Sequence, residues 1–145
     1  MKAAPFHGAK AAVFVGDDLL VYRRDTHVIW PGCWDFPGGG REGEETPFAC
    51  LAREVHEEFG LDVTEDDVLW RRTVPAMLDP GQIAWFFVVQ LPAEAARAIR
   101  FGDEGQHWAL MAPRDVAKLP DLVPGLRDRL MLWLREAGGD TIKQG

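Results

Sequence analysis

Residues Gly39 to Leu61 read GGREGEETPFACLAREVHEEFGL. Thr46 is a natural N-cap, and Pro47 follows at the first helical position, where a missing N–H costs nothing. Gly60 supplies a stop at the other end. Phe48, Leu51, Ala52, Val55 and Phe59 recur at helical spacing, so the stretch predicts a helix over Thr46–Phe59 with one apolar face. Six carboxylates lie between Glu42 and Glu58: Glu42, Glu44, Glu45, Glu54, Glu57 and Glu58. The last three stand at i, i+3 and i+4 and share a face, although like charges at that spacing destabilise a helix. With the apolar face intact on the other side, these carboxylates are expected to face outward or into a cleft. A solvated acidic face accounts for the spacing. So does a hard-cation site, because Mg²⁺ and Mn²⁺ take oxygen ligands and bring phosphate substrates with them. Arg53 stands beside the carboxylates and can pair with Glu57 along the helix or with Glu45 in the loop. As a plain surface ion pair it would contribute little.

The flanks suggest what the helix packs on. Lys10 to Val15 reads as a strand, Gly16-Asp17-Asp18 as a turn, and Leu19 to Arg24 as a second strand, which together make a hairpin. Asp25 to Gly40 holds Pro31, Gly32, Pro37, Gly38, Gly39 and Gly40 and reads as loop-rich. Val68 to Met77 and Ile83 to Leu91 read as strands joined by the turn Leu78-Asp79-Pro80-Gly81. Pro92 to Ile99 is short and helical or irregular, His107 to Met111 a short strand, and Pro113 to Lys118 a short helix. Gly125 to Ala137 is a longer helix with Leu126, Leu130, Trp133 and Leu134 as its apolar stripe, and the tail after Gly138 is expected to fray. Strands and helices interleave without strict alternation. That predicts an α/β fold, a mixed sheet covered by helices on both faces.

The chain has 145 residues, 47% of them hydrophobic, enough for one domain with its own core. Sixteen basic and 23 acidic residues give a net charge of −7. Such a chain binds nucleic acid or a membrane surface poorly, so no stable complex with either is expected. A phosphorylated ligand would need local neutralisation, and a divalent metal supplies it. Cys33 and Cys50 make no disulfide framework, and the longest apolar run, Ile83 to Val89, is too short to span a membrane. A cytoplasmic protein is the expectation.

On these residues the stretch resembles the Nudix box of the Nudix hydrolase superfamily. Gly39, Glu45, Arg53-Glu54, Val55, Glu57-Glu58, Gly60 and Leu61 fill every defined position, with His56 and Phe59 at free ones. Trp34-Asp35-Phe36-Pro37-Gly38-Gly39 is similar to the approach that precedes the box, and Leu19 to Arg24 to the strand upstream. Asp103-Glu104-Gly105-Gln106 followed by Trp108 looks like the acidic loop and tryptophan downstream, as in MutT-like members. The resemblance implies a Nudix-type α/β/α sandwich with a mixed β-sheet, formed by residues 1–145 as one hydrolase domain. It implies Mg²⁺- or Mn²⁺-dependent hydrolysis of a nucleoside diphosphate linked to another moiety. It also allows a homodimer.

Carried over position by position, Glu54, Glu57 and Glu58 would be metal ligands, joined by the Gly38 carbonyl. Arg53 would orient the carboxylates, and Glu45 would hold Arg53 and close the loop onto the helix. The general base is Glu54 or Glu104; the latter could swing onto a metal, but it also suits an ordinary surface turn. Arg23 or Arg24, at a strand end, is a candidate phosphate contact, and each would also serve as a solvated surface arginine. Trp34, Trp70, Trp85 and Trp133 read as core, Trp30 as the best base-stacking candidate, His56 as exposed and Cys50 as packing.

The leading expectation is a pyrophosphohydrolase that converts a nucleoside triphosphate, unmodified or oxidised, to monophosphate and pyrophosphate. ADP-ribose is an alternative substrate, because Pro75 stands 14 residues past Leu61 (75 − 61), near a proline that marks that branch. A dinucleotide polyphosphate is another. From a different class, a non-catalytic nucleotide sensor would be expected to lose box residues, and this chain has lost none. RNA decapping is disfavoured by the acidic charge.

Overall fold

A computed structural model describes residues 5–137. The tail after Gly138 lies outside the described residues. Seven strands form one mixed sheet: β1 Gly8–Val15, β2 Asp18–Arg23, β3 Trp34–Asp35, β4 Gly38–Gly40, β5 Val68–Pro75, β6 Ile83–Leu91 and β7 His107–Met111. The central path runs β3-β2-β1-β6-β5, with β4 on β1 and β7 on β2. The β1–β6 pair is parallel, from Ala9↔Trp85 to Val15↔Leu91, and the other pairs are antiparallel.

The central strands are apolar at consecutive positions because both sheet faces are covered. On one face Ala11, Val13, Leu20, Phe87 and Val89 pack beneath α1 (Pro47–Phe59), which contributes Cys50, Leu51, Val55 and Phe59. On the other, Phe14, Val21, Phe86 and Val88 meet Val116 of α2 (Pro113–Ala117) and Leu126, Leu130 and Trp133 of α3 (Leu126–Ala137). The result is an α/β/α sandwich. Each of these fully buried large side chains contributes roughly 1.5–3 kcal/mol. None of the described helices is long and apolar enough to cross a membrane.

α1 starts and stops as its sequence dictates. The Thr46 side chain accepts from the Ala49 N–H, Pro47 opens the first turn, and Gly60 closes the helix at φ 68° with its N–H on His56 O. Three expectations need correction. The loop-rich stretch contains β3 and β4, strands of two and three residues that are too short to show a period. The strand expected over Val68 to Met77 ends at Pro75 and carries an irregularity between Val68 and Trp70. Trp34 and Trp133 are buried, but Trp70 and Trp85 are only half-buried, because β5 is an edge strand and leaves both partly uncovered.

Candidate functional site

The candidate site sits where the β1–β2 hairpin forks. The two strands pair only near their turn, at Phe14↔Leu19 and Val15↔Asp18. Beyond that, β4 takes the edge of β1 (Lys10↔Gly38) and β3 takes the edge of β2 (Tyr22↔Asp35). Glu58 reaches into this opening from the last turn of α1. Its Oε1 accepts from the Gly38 N–H at 2.9 Å, and the Tyr22 hydroxyl lies 3.5 Å from its Oε2. Glu58 is only 7% exposed, and burial pushes its pKa up to about 8. The sequence predicts three carboxylates facing outward or into a cleft on the side away from the apolar row; Glu58 does enter a cleft, but it does so from the apolar row itself. Glu57 is exposed, Glu54 half-buried and Glu58 buried. Glu58 lies three residues after Val55 and seven after Leu51, so it continues the apolar row instead of opposing it.

A second buried carboxylate, Asp35, organises the fork. Lys10 Nζ donates to Oδ1 and Arg24 Nη1 to Oδ2, each at 2.9 Å, and the Phe36 N–H donates to Oδ1 at 2.7 Å. Burial alone would raise its pKa; Lys10 and Arg24 outweigh burial and hold it below the ordinary value. The Tyr22 hydroxyl lies 3.3 Å from Asp35 Oδ2, so its one proton can serve Asp35 or Glu58 but not both. Burial, with the charges of Asp35 and Glu58 added, keeps that hydroxyl protonated.

Arg53 ties the loop to the helix. Its Nε and Nη2 reach the two oxygens of Glu45 at 2.7 and 3.1 Å, a bidentate fork. Nη1 lies 2.9 Å from Glu54 Oε1, 3.2 Å from Glu57 Oε2 and 3.1 Å from Glu42 Oε2, and Nη2 donates to Gly40 O at 2.8 Å. Hydrogen bonds from Arg53 lower the Glu45 pKa. Glu54 is raised, first by burial and then by Glu57 and Glu104, against the pull of Arg53.

Two glycines are required by geometry. Gly38 has φ 138°, and a Cβ there would overlap Ala9 O and Lys10 Cα. A Cβ on Gly39 would overlap the Glu54 carboxylate itself. The glycine strand thus leaves a cradle beside Glu54. Its donors, the carboxylates of Glu54, Glu57 and Glu58 and the Gly38 carbonyl, are hard oxygens and fit Mg²⁺ or Mn²⁺. Among the described residues, no three acidic, His or Cys side chains already surround one point. Arg53 occupies Glu54 and Glu57, and Gly38 occupies Glu58.

Next to the cradle lies a cleft of about 210 Å³, lined by Lys10, Arg24, Trp30, Gly39, Met77 and Arg129 among others. Trp30 has φ 51°, the one positive φ of a non-glycine among the described residues, so its placement at the cleft stores strain. The two candidate arginines separate. Arg24 lines the cleft, while Arg23 is turned away, with Nε on Gly32 O, Nη2 near Asp121 and its guanidinium over the Trp34 ring. Glu104 is exposed on the loop before β7 and shares a second recess with Tyr22, Arg24 and His27. Cys50 is fully buried, and burial pushes its thiol up to about 11. His56 is exposed and pairs with Asp62.

Sequence reading missed Lys10, Tyr22, Asp35 and Arg129. Asp35 left a signal, a lone carboxylate between Trp34 and Phe36. Arg129 left another, because it stands between Leu126, Leu130 and Trp133 on the packed side of α3.

Comparison with known proteins bears on the family and the fold. A NUDIX domain model matches residues 5–134. The chain is 53% identical to an 8-oxo-dGTP diphosphatase of Proteus vulgaris over 53 residues, 37% of this chain and 47% of that protein. It is 32% identical to the nucleoside triphosphatase NudI of Salmonella schwarzengrund over 79% of this chain and 85% of the relative. The chain spans less than two thirds of the length of the first curated relatives it matches. In fold it is similar to a bifunctional NMN adenylyltransferase/ADP ribose pyrophosphatase from Francisella tularensis complexed with AMP and a Mn ion. That match has a TM-score of 0.71 at 20% identity and covers 93% of this chain and 44% of the other. With the box complete in sequence, folded as loop and helix, and matched along nearly its whole length, the chain belongs to the NUDIX domain family.

Proposed function

We propose that the chain hydrolyses a phosphoanhydride bond in a nucleoside diphosphate linked to another moiety, with a nucleoside triphosphate as substrate and monophosphate and pyrophosphate as products. The observation that carries this reading is the juxtaposition of the Glu54–Glu58 cradle with a cleft that Trp30 lines. Phosphates would lie along the glycine strand and the base against Trp30. Lys10 and Arg24 stand where the two regions meet and would balance phosphate charge.

Glu54, Glu57, Glu58 and the Gly38 carbonyl would hold Mg²⁺ or Mn²⁺, with Glu104 joining from its loop. Bound there, a divalent ion neutralises the diphosphate and acidifies a water. Arg53 positions Glu54 and Glu57, and Glu45 positions Arg53. Glu54 is the better placed general base, because burial raises its proton affinity while one oxygen is pinned by Arg53. Glu104 is the second candidate, and its charge reaches Glu54.

The test is product identification with purified protein and Mg²⁺ on nucleoside triphosphates, 8-oxo-dGTP, ADP-ribose and dinucleotide polyphosphates. Monophosphate plus pyrophosphate from a triphosphate, abolished by chelator and restored by metal, is the expected result. Preference for ADP-ribose or a dinucleotide by orders of magnitude moves the substrate to another class. Binding without turnover of any of them overturns the enzymatic reading.

A further inference from the structure

Arg129 is a buried cation with no ion-pair partner in contact among the described residues; the charge of Asp35 reaches it only from beyond contact distance and opposes burial in part. Arg129 projects from α3 and is 7% exposed, yet none of the ion pairs among the described residues includes it. Of its five N–H donors, one is satisfied, by Nη2 on Pro75 O at 3.0 Å. Its guanidinium lies 5.8 Å from the Phe86 ring centroid. Burying an unpaired cation is costly, and here it lowers the guanidinium pKa to about 10. The remaining donors are not sealed in. Among the described residues, the only fully buried side-chain N or O atom without a partner is Arg41 Nη2. Arg129 lines the same cleft as Trp30, opposite the face that carries α1.

We propose that Arg129 is a specificity-determining residue that selects bases presenting two adjacent acceptors on one edge: N7 and O6 of guanine, or O2 and N3 of cytosine. This rests on reading the cleft as a nucleotide site. A guanidinium has only donors, in a planar fork, and pairs with two acceptors side by side. Adenine sets a donor next to each acceptor it could offer on its exposed edges, and uracil separates its acceptors by an N–H, so both leave one donor of the fork unmet. Arg129 shares the cleft with Met77 and Trp30, which pack against the core on the α3 face of the sheet. Lys10 pairs beside Gly38 on the glycine strand, and Lys10 and Arg24 both already hold Asp35, whereas Arg129 keeps its remaining donors free among the described residues, so the phosphates are assigned to the glycine strand and the base to Arg129.

Two measurements on the intact chain test this. The first is calorimetric binding of GMP, CMP, AMP, UMP and pyrophosphate in the presence of chelator. The second is kcat/KM for the four triphosphates with Mg²⁺. The wild type is expected to favour guanine or cytosine over adenine and uracil by roughly tenfold or more, the range of one good bidentate contact. Arg129→Met, matched in length and checked for folding by thermal unfolding, is expected to erase that ratio and leave AMP and pyrophosphate binding within about twofold. Arg129→Lys keeps the charge without the fork and is expected to recover little of the ratio. The guanine and cytosine arms tell the two bases apart. Equal binding of all four bases, a ratio that survives in Arg129→Met, full recovery by Lys, or a matching loss of pyrophosphate binding overturns the proposal. Base-selective binding without turnover would leave the proposal standing and overturn the hydrolase reading. Turnover without selectivity would do the reverse.

Discussion

The Gly38 N–H donates to Glu58 Oε1 at 2.9 Å, so the end of α1 is fastened to the glycine strand by one of its own candidate ligands. A group buried to this degree on an apolar row would ordinarily be Leu or Val. Keeping a carboxylate there costs stability in the metal-free protein. The ligand role proposed for Glu58 and its effect on folding are therefore expected to separate on mutation.

Glu58→Gln keeps an acceptor for the Gly38 N–H and removes a carboxyl that folding must protonate at neutral pH, since its pKa is pushed up to about 8. At neutral pH the metal-free variant should be as stable as the wild type or more so. Its turnover should drop by at least about a hundredfold, beyond the 10–100-fold typical of residues that only orient ligands. Thermal melts beside steady-state rates check both halves. A large loss of stability would mean that the carboxylate is structural.

Asp35→Asn should do the opposite. It leaves Lys10 and Arg24, with 16% and 19% of their side chains exposed, facing a neutral amide. A loss of about 3 kcal/mol is expected for breaking such a pair. The pH dependence has a definite sign. A carboxylate held below its ordinary value of 3.8 stabilises the fold above that pH and stops doing so as pH falls through its lowered native value. Melting temperatures from pH 5 to pH 2 should fall steeply in the wild type and less steeply in Asp35→Asn. Parallel curves would remove Asp35 from the acid response.

Gly38→Ala and Gly39→Ala, one residue apart, should fail differently. A Cβ at 38 meets rigid backbone at φ 138°, so the β1–β4 pairing should break and stability should fall by roughly 3 kcal/mol or more. A Cβ at 39 meets the movable end of Glu54, so the fold should survive while metal affinity and turnover fall. Metal titration followed by calorimetry, beside unfolding curves, distinguishes the two. Identical behaviour would contradict the cradle.

Arg53→Lys preserves charge but not the fork that grips both oxygens of Glu45. Turnover should fall by about 10–100-fold, as for residues that orient ligands. Amide exchange should quicken between Glu42 and Thr46. Unchanged exchange there would show that the loop holds itself.

Much of this was readable in the sequence. The box declared its helix because cap, stop and apolar period agree on the same bounds. The central strands declared themselves by unbroken apolar runs. Glu58 was misread because three glutamates at helical spacing look like one face. Counting places Glu58 in step with both Leu51 and Val55, at seven and three residues, Glu54 in step with Leu51 alone, and Glu57 with neither, which matches buried, half-buried and exposed. The fork was not readable, because β3 and β4 are shorter than any period, and their partners Tyr22 and Lys10 are set by register across the sheet. Arg129 and Trp30 approach each other only through the packing of α3 against the sheet, which no local pattern encodes.

Phe36 and Pro37 are the whole link between β3 and β4. Two residues carry the chain from one prong of the fork to the other, with the Pro37 carbonyl taken by the Ala11 N–H. An insertion there would slide Asp35 and Gly38 out of step with Tyr22 and Lys10 together. The segments that bring Trp30, Met77 and Leu78 to the cleft hang outside the sheet, between Arg24 and Cys33 and between Ala76 and Gln82. They can lengthen or change residue without disturbing that step. The molecule is thus divided into a frame that tolerates no slippage and exchangeable parts bolted beside it, so the lining that those two loops give the cleft can drift while the fork keeps its step.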